Sequence, residues 1–494
     1  MVIALSIMIL DITGWKRLDE AGTVRRKREG AMEGSFWKQT YEKILIGMGL
    51  FGITLNFLFL NQILPFLGAL LLFTGFRKLR SENRWLKAGY AGATLKVVIT
   101  IVTIVLGSVL EREKIYASYA WKVIAFCGGI LPVVLMVCFF LGMREELEKR
   151  DEKIKNEVLL HIIIWYAVVT VLAVQEYEGW ILGLAIVAAY IGILVELKNI
   201  AEKLEEAGYI LEERPVRISD SRCAAGAAIL TAAGLFIGYT CFGAYYMAWT
   251  TAKETQNPVC EEIKTHLLSL GFPEEILKDL KEEDILACKK ARQVLLNQSD
   301  DSLRDGDERL QLDGLAVELE QEGQWKVIHH FLWNGNPGFR GTEAVQINPA
   351  YQELNGGWTA QGELTGQVLY DKDGTSYTAE YASLQNEAYE TNQNFPFYGS
   401  QQYASIFAEF SMPHRGENCR GYVAYEIKAK ESDWWIDSWL NYTHQKTVWQ
   451  YPVISAAQNR KQGGWLNERV FSTVQDALQV LPEGESEGSV GSGV

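Results

Sequence analysis

Four residues near the carboxyl-terminal end alternate in a pattern that could hold a sugar. Trp435, Asp437, Trp439 and Asn441 occupy every second position, so an extended strand places all four on one face. Flat indole rings suit the C–H faces of a sugar, while a carboxylate and an amide accept from and donate to its hydroxyls. The intervening Trp434, Ile436, Ser438, Leu440 and Tyr442 would then face a core. The competing reading of the first set is a face covered by a second layer of the fold.

Other chemistry is less well supported. His329 and His330 are adjacent, so on a strand they point to opposite sides and do not share one metal; His414 and His444 lie elsewhere, and no zinc pattern results. The acidic run Ser299–Asp307 places Leu303 and Leu312 where a calcium loop needs oxygen ligands. Gly484–Gly488 matches a nucleophile elbow only in letters, because no strand precedes it and no helix follows. There is no P-loop and no HExxH. No metal or other cofactor is expected. Cys260 and Cys288 flank a helical hairpin and are expected to form a disulfide, with a pair of buried thiols as the alternative; Cys419 is then an inert core thiol.

The elements that must position these residues fall into two halves. Of 494 residues, those from 251 onward carry about 20 basic and 37 acidic side chains, and the remainder is close to neutral. An acidic half excludes a nucleic-acid footprint and disfavours docking on anionic lipid. At this length a single core is not expected.

The first half alternates apolar blocks with basic links. Residues 1–43 read as a cytoplasmic segment, with 1–31 either a basic tail or an extension ahead of a true start at Met32. The block Ile44–Phe76 would be roughly 50 Å long as one helix, too long for a bilayer. Basic flanks on both sides require it to cross twice, with a turn near Asn56, Asn61, Gln62 and Pro65. Continuing the alternation gives about seven transmembrane helices over 44–250, amino terminus inside. An amphipathic interfacial helix opens the link from Lys198 to Arg222. The last span is Cys223–Trp249, which contains no charged residue. Gly234 and Gly238 form a small-residue pair on it; they serve packing within the bundle or, alternatively, a homodimer. Intramembrane ionisable residues are few. Lys96 is near enough to the basic edge to snorkel, and His161 is near an interface.

Beyond Thr250 the chain is expected outside the cell. Residues 251–298 read as a neck of short helices, with Asn257 as cap, Pro258 at the first helical position, Gly271 as stop and a third helix over Glu283–Leu296. An acidic linker (299–314) precedes a β domain (315–481), where period-two alternation and Gly/Asn-rich turns predict a two-sheet antiparallel sandwich. Trp325–Trp333 reads as a central strand, Val368–Thr378 as a hairpin about Asp373-Gly374, and Tyr403–Met412 and Gly421–Ala429 as further strands; a short helix over Phe471–Leu481 closes it. Residues 482–494 have the composition of a disordered tail.

Several runs are familiar: Gly271-Phe272-Pro273-Glu274-Glu275, Trp325–Trp333, Gly416–Tyr425, Trp439–Gln445 and Gln450-Tyr451-Pro452-Val453. With them the chain from about Met32 resembles uncharacterised multi-pass membrane proteins of anaerobic Gram-positive bacteria that carry a C-terminal extracytoplasmic domain. The resemblance implies a topology and no activity.

The function expected from these features is binding. An extracytoplasmic β domain engages a cell-wall glycan or another envelope protein, in a sensory or scaffolding role, with the lipid bilayer as the other partner. A cell-envelope-modifying enzyme and a transport accessory subunit are the alternatives.

Overall fold

The computed structural model describes residues 32–52, 60–175, 179–211, 218–253, 257–297, 308–352, 357–391, 401–430, 435–463 and 468–480. The chain forms two compact units. One comprises residues up to Gly107 with Glu111–Phe236, the other Ser108–Leu110 with Ile237 onward.

The first unit is helical: α1 (Met32–Gly52), α2 (Leu60–Leu79), α3 (Arg84–Leu106), α4 (Arg112–Tyr116), α5 (Tyr119–Glu148), α6 (Glu157–Val174), α7 (Trp180–Glu206) and α8 (Asp220–Phe242). Five of these, α2, α3, α5, α7 and α8, contain stretches long and apolar enough to cross a membrane. Their outward side chains are apolar as well: Ile181 and Phe236 are each 70% exposed and Ile229 is 69% exposed. A water-soluble bundle would bury such residues, so the surface suits lipid and suggests a membrane protein. Seven spans are not established. Among the described residues, α6 is the shorter apolar helix, and α1 carries Lys38, Glu42 and Lys43.

Several expected boundaries move. Asn61, Gln62 and Pro65 lie inside α2 and not at a turn; Asn56 is outside the described residues. Among the described residues no separate amphipathic helix follows Lys198. Instead α7 runs on to Glu206, because Leu197, Ile200, Ala201 and Leu204 continue its buried stripe. The last helix begins at Asp220, whose carboxylate lies 3.4 Å from Lys43 and 3.7 Å from Arg77. It ends at Phe242, not Trp249. Tyr245 and Trp249 pack on the β core, and Ser411 Oγ accepts from Tyr245 N at 3.0 Å. Gly234 packs within the bundle, where an added Cβ would lie 2.5 Å from Val105 Cγ2; one at Gly238 would overlap Ser108. Lys96 does not snorkel. It is buried, donates to Gly128 O at 3.3 Å and lies 3.7 Å from the centre of the Phe51 ring. His161 Nδ1 pairs with Glu196 at 2.9 Å.

The second unit holds two antiparallel sheets. The strands are β1 (Thr250–Thr251), β2 (Gln293–Leu296), β3 (Leu310–Glu318), β4 (Gln324–Trp333), β5 (Glu343–Asn348), β6 (Trp358–Lys372), β7 (Thr375–Ala379), β8 (Ser383–Thr391), β9 (Gln401–Phe410), β10 (Glu417–Ala429), β11 (Ile436–Gln445) and β12 (Phe471–Val480). The seven-stranded sheet runs β1-β7-β6-β10-β4-β3-β2, the five-stranded one β12-β11-β5-β9-β8. One apolar core draws on both, with Phe331 against Phe410 and Tyr442 at ring centroid distances of 5.4 and 4.9 Å. The expected antiparallel two-sheet architecture is therefore present, with β4 interior to its sheet. Asp373 (φ 52°) and Gly374 (φ 73°) make the β6–β7 turn, the positive-φ pair that a two-residue hairpin demands.

The helices α9 (Pro258–Ser269), α10 (Glu274–Asp279) and α11 (Glu282–Ala287) pack through Ile263, Leu267, Ile276 and Ile285 onto Leu315, Val317, Ile328 and Tyr422, on the outer face of the seven-stranded sheet. Asn257 caps α9 by accepting from Val259 N at 3.1 Å, and Gly271 (φ 89°) stops it. The expected third helix ends early. Val294 and Leu295 pack on opposite sides of the sheet, a period-two demand that makes Gln293–Leu296 a strand. The expected closing helix is likewise β12, where Val474, Asp476 and Leu478 are buried at alternate positions. The acidic run 299–307 and the tail 482–494 lie outside the described residues. Cys260 and Cys288 do not bridge: both are free thiols in the apolar cluster beneath α9 and α11, and burial pushes Cys288 up to about 12.

Candidate ligand-binding face of the five-stranded sheet

Strand pairing assembles the outer face row by row. Trp439 stands opposite Ala477 on β12 and Asn348 on β5. One row along, Asn441 stands opposite Gln475 and Gln346. Across the next strand, Gln346 meets Phe407, and β9 in turn places Tyr403 beside Tyr389 and Ser405 beside Glu387 on β8. Local sequence dictates this arrangement. The alternation Ile436, Ser438, Leu440, Tyr442 is buried at 2% exposure or less, so their neighbours must point outward.

A short helix, α12 (Ala456–Lys461), covers part of this face. Ser455 and Gln458 close a capping box at its start, and Ala456 and Ala457 pack with Ala344, Phe407 and Phe471. The remainder stays partly open: Trp435, Asp437, Trp439, Asn348, Tyr389 and Tyr403 are all half-buried. Of the four residues singled out by sequence, Asp437, Trp439 and Asn441 share the face. Trp435 precedes the strand, and its carbonyl accepts from Trp358 Nε1 at 2.8 Å. Asn441 is buried at 5% exposure and not open. Asp437 accepts from Gln479 Nε2 at 3.2 Å.

The face also carries polar groups that sequence reasoning passed over. Gln346 Nε2 donates to Tyr389 OH at 2.7 Å, Ser405 Oγ donates to Asn348 Oδ1 at 2.8 Å, and Arg460 Nε donates to Gln346 Oε1 at 3.0 Å. The Tyr389 and Tyr403 rings stack at 5.9 Å. The signal for Gln346 and Asn348 was their two-residue spacing on a short strand. Arg460 had none, because α12 is brought to the face by tertiary packing.

The outer face of the other sheet is built of charges and is sealed. Lys326 Nζ lies 2.9 Å from Asp284 Oδ1 and 3.5 Å from Glu426. Thr365 donates to Asp284 at 2.6 Å, and Tyr422 OH bonds it as well. Burial works against the Lys326 charge, but Asp284 outweighs it and holds the ammonium above its ordinary value. Nearby, His330 Nε2 lies 3.0 Å from Asp279, which also accepts from Arg420 Nε at 2.8 Å; Arg420 continues to Asp371 at 3.0 Å. Burial lowers the His330 pKa, yet the Asp279 and Asp313 carboxylates prevail and raise it. On the opposite side of β4, His329 Nε2 lies 2.7 Å from Ser438 Oγ, and burial drives it down to about 3. The adjacent histidines thus face opposite ways, as their spacing requires. Among the described residues no group of three His, Cys, Asp or Glu side chains could hold a metal ion.

No protein-family model matches this chain, and no curated protein does. Among solved structures, the chain is similar to the KRT10-binding region domain of the pneumococcal serine rich repeat protein PsrP, at 9% identity and a TM-score of 0.18, over 39% of this chain and 99% of that chain.

Proposed function

We propose that this is a multi-pass membrane protein that holds its β unit outside the cell and binds an envelope saccharide on the outer face of the five-stranded sheet. The observation that carries the reading is Trp439. Its half-buried indole sits in one row with Asn348, beside Asp437 and Asn441, on a face that α12 covers only in part. A ring held by its strand at half depth is a stacking platform, and the flanking amides and carboxylate supply hydrogen bonds of both polarities.

The amino-terminal side of the bundle is cytoplasmic in this proposal. Lys43, Arg77 and Lys78 gather around Asp220, and a basic end belongs inside.

Two measurements test it. A membrane-impermeant amine reagent applied to intact cells should modify exposed Lys372; protection until lysis would reverse the orientation. Detergent-purified full-length protein should be retained on envelope polysaccharide, and Trp439→Ala should abolish retention without unfolding the chain. Equal retention of wild type and Trp439→Ala would remove this face from the binding account.

A further inference from the structure

We infer that the saccharide bound on this face is anionic and that Arg460 receives its charge, an inference that rests on the saccharide-binding reading above. Arg460 stands at the end of α12, half-buried. Its Nε is committed to Gln346 Oε1 at 3.0 Å. Among the described residues no carboxylate pairs with it, and its two terminal nitrogens meet no acceptor. The contrast with its neighbour is direct: Lys461 is matched by Glu387 and by Glu409 at 3.6 Å and lies 4.6 Å from the centre of the Phe407 ring. From residue 251 onward the chain carries about 37 acidic against 20 basic side chains. A half-buried arginine held by its Nε and left without a carboxylate presents its open edge to an anion. Burial also lowers the Arg460 pKa, outweighing the opposing pull of the Tyr389 hydroxyl.

The surroundings suit an anion. Gln346 is directly opposite Asn441 on one side and Phe407 on the other, and Gln475 and Gln385 complete that row. All five are uncharged; on neighbouring rows of this face Glu387 and Glu409 are matched by Lys461, and Asp437 accepts from Gln479. Trp439 lies one row along on the same face. The guanidinium edge that Nε leaves open is a planar fork for two oxygens of one carboxylate or phosphate. A sugar stacked on Trp439 could carry either group to that edge. The recognised chemistry is an oxyanion attached to a saccharide, and the two sources are separated by experiment.

The test uses full-length protein in detergent with three soluble polymers: polygalacturonate, its methyl ester, and a phosphorylated dextran. Wild type should retain at least one anionic polymer about tenfold more tightly than the neutral ester, with the preference falling as salt rises. Arg460→Gln should equalise charged and neutral polymers. Gln346→Glu, which pairs Arg460 internally and leaves it in place, should equalise them as well and stands in if Arg460→Gln fails to fold. Preference for polygalacturonate assigns a carboxylate, and preference for the dextran a phosphate; either supports the inference. Equal binding of neutral and charged polymers by wild type, or a preference that survives both substitutions, overturns the anionic ligand and leaves saccharide binding standing. Failure to bind any of the three overturns both.

Discussion

The two sheets of the β unit treat their outer faces in opposite ways. On the seven-stranded sheet, the α9–α11 hairpin seals Asp284 (0% exposed), Lys326 and Asp279 (3% each) and His330 (3%) into paired networks. On the five-stranded sheet, a six-residue helix covers only part of the face, and Trp439, Asp437 and Asn348 stay half-buried beside an arginine that no acid among the described residues neutralises. Charge in a protein can thus serve architecture or recognition, and completeness of pairing separates the two. A fully matched charge has nothing left to offer a ligand.

That contrast can be broken most sharply at Asp284. Asp284→Ala removes the nearer and fully buried partner of the Lys326 ammonium, leaving Glu426 at 3.5 Å, and should cost about 3 kcal/mol in urea unfolding followed by tryptophan fluorescence. Asp284→Leu combined with Lys326→Met should recover much of that loss. If Asp284→Ala proves as mild as a surface change, the sealed face is not what holds the helical hairpin down.

Trp439→Ala on the open face should cost less, about 1–2 kcal/mol for half a ring of apolar area, while removing polysaccharide retention. A large loss of stability with retention intact would make Trp439 a core residue.

His330 sharpens the comparison through pH. Its folded pKa is raised above the ordinary 6.5, so its contribution is complete below that value and is lost as pH climbs through the folded pKa. The slope should not exceed about 1.4 kcal/mol per pH unit and should vanish in His330→Gln. Stability rising with pH across this window would contradict the Asp279 pairing.

The smallest effect is expected at Asp437, whose hydrogen bond to Gln479 is solvent-accessible. Asp437→Ala should shift stability by no more than about 0.5 kcal/mol and should weaken saccharide retention measurably.

What could be read in advance followed local periodicity. The strands at Trp325–Trp333 and Gly421–Ala429 and the Asp373-Gly374 turn announce themselves, because alternation and positive φ are properties of a few consecutive residues. The bundle was legible as apolar blocks, but not its ends: Glu206 extends α7 because a buried stripe persists, and Phe242 ends α8 because Tyr245 and Trp249 find partners far away in sequence. The same long-range packing turns Gln293–Leu296 and Phe471–Val480 into strands. Of the candidate site, Trp439, Asp437 and Asn441 were visible as an alternating set. Gln346, Asn348 and Arg460 were not, since only the register between distant strands and the seating of α12 bring them to the same patch.

Cys260, Cys288 and Cys419 are all unbonded and buried. The β unit therefore owes none of its cohesion to oxidation. It should assemble as well in a reducing cytosol, or in a strictly oxygen-free habitat, as in air, and a recombinant host would need neither an export route nor an isomerase to make it.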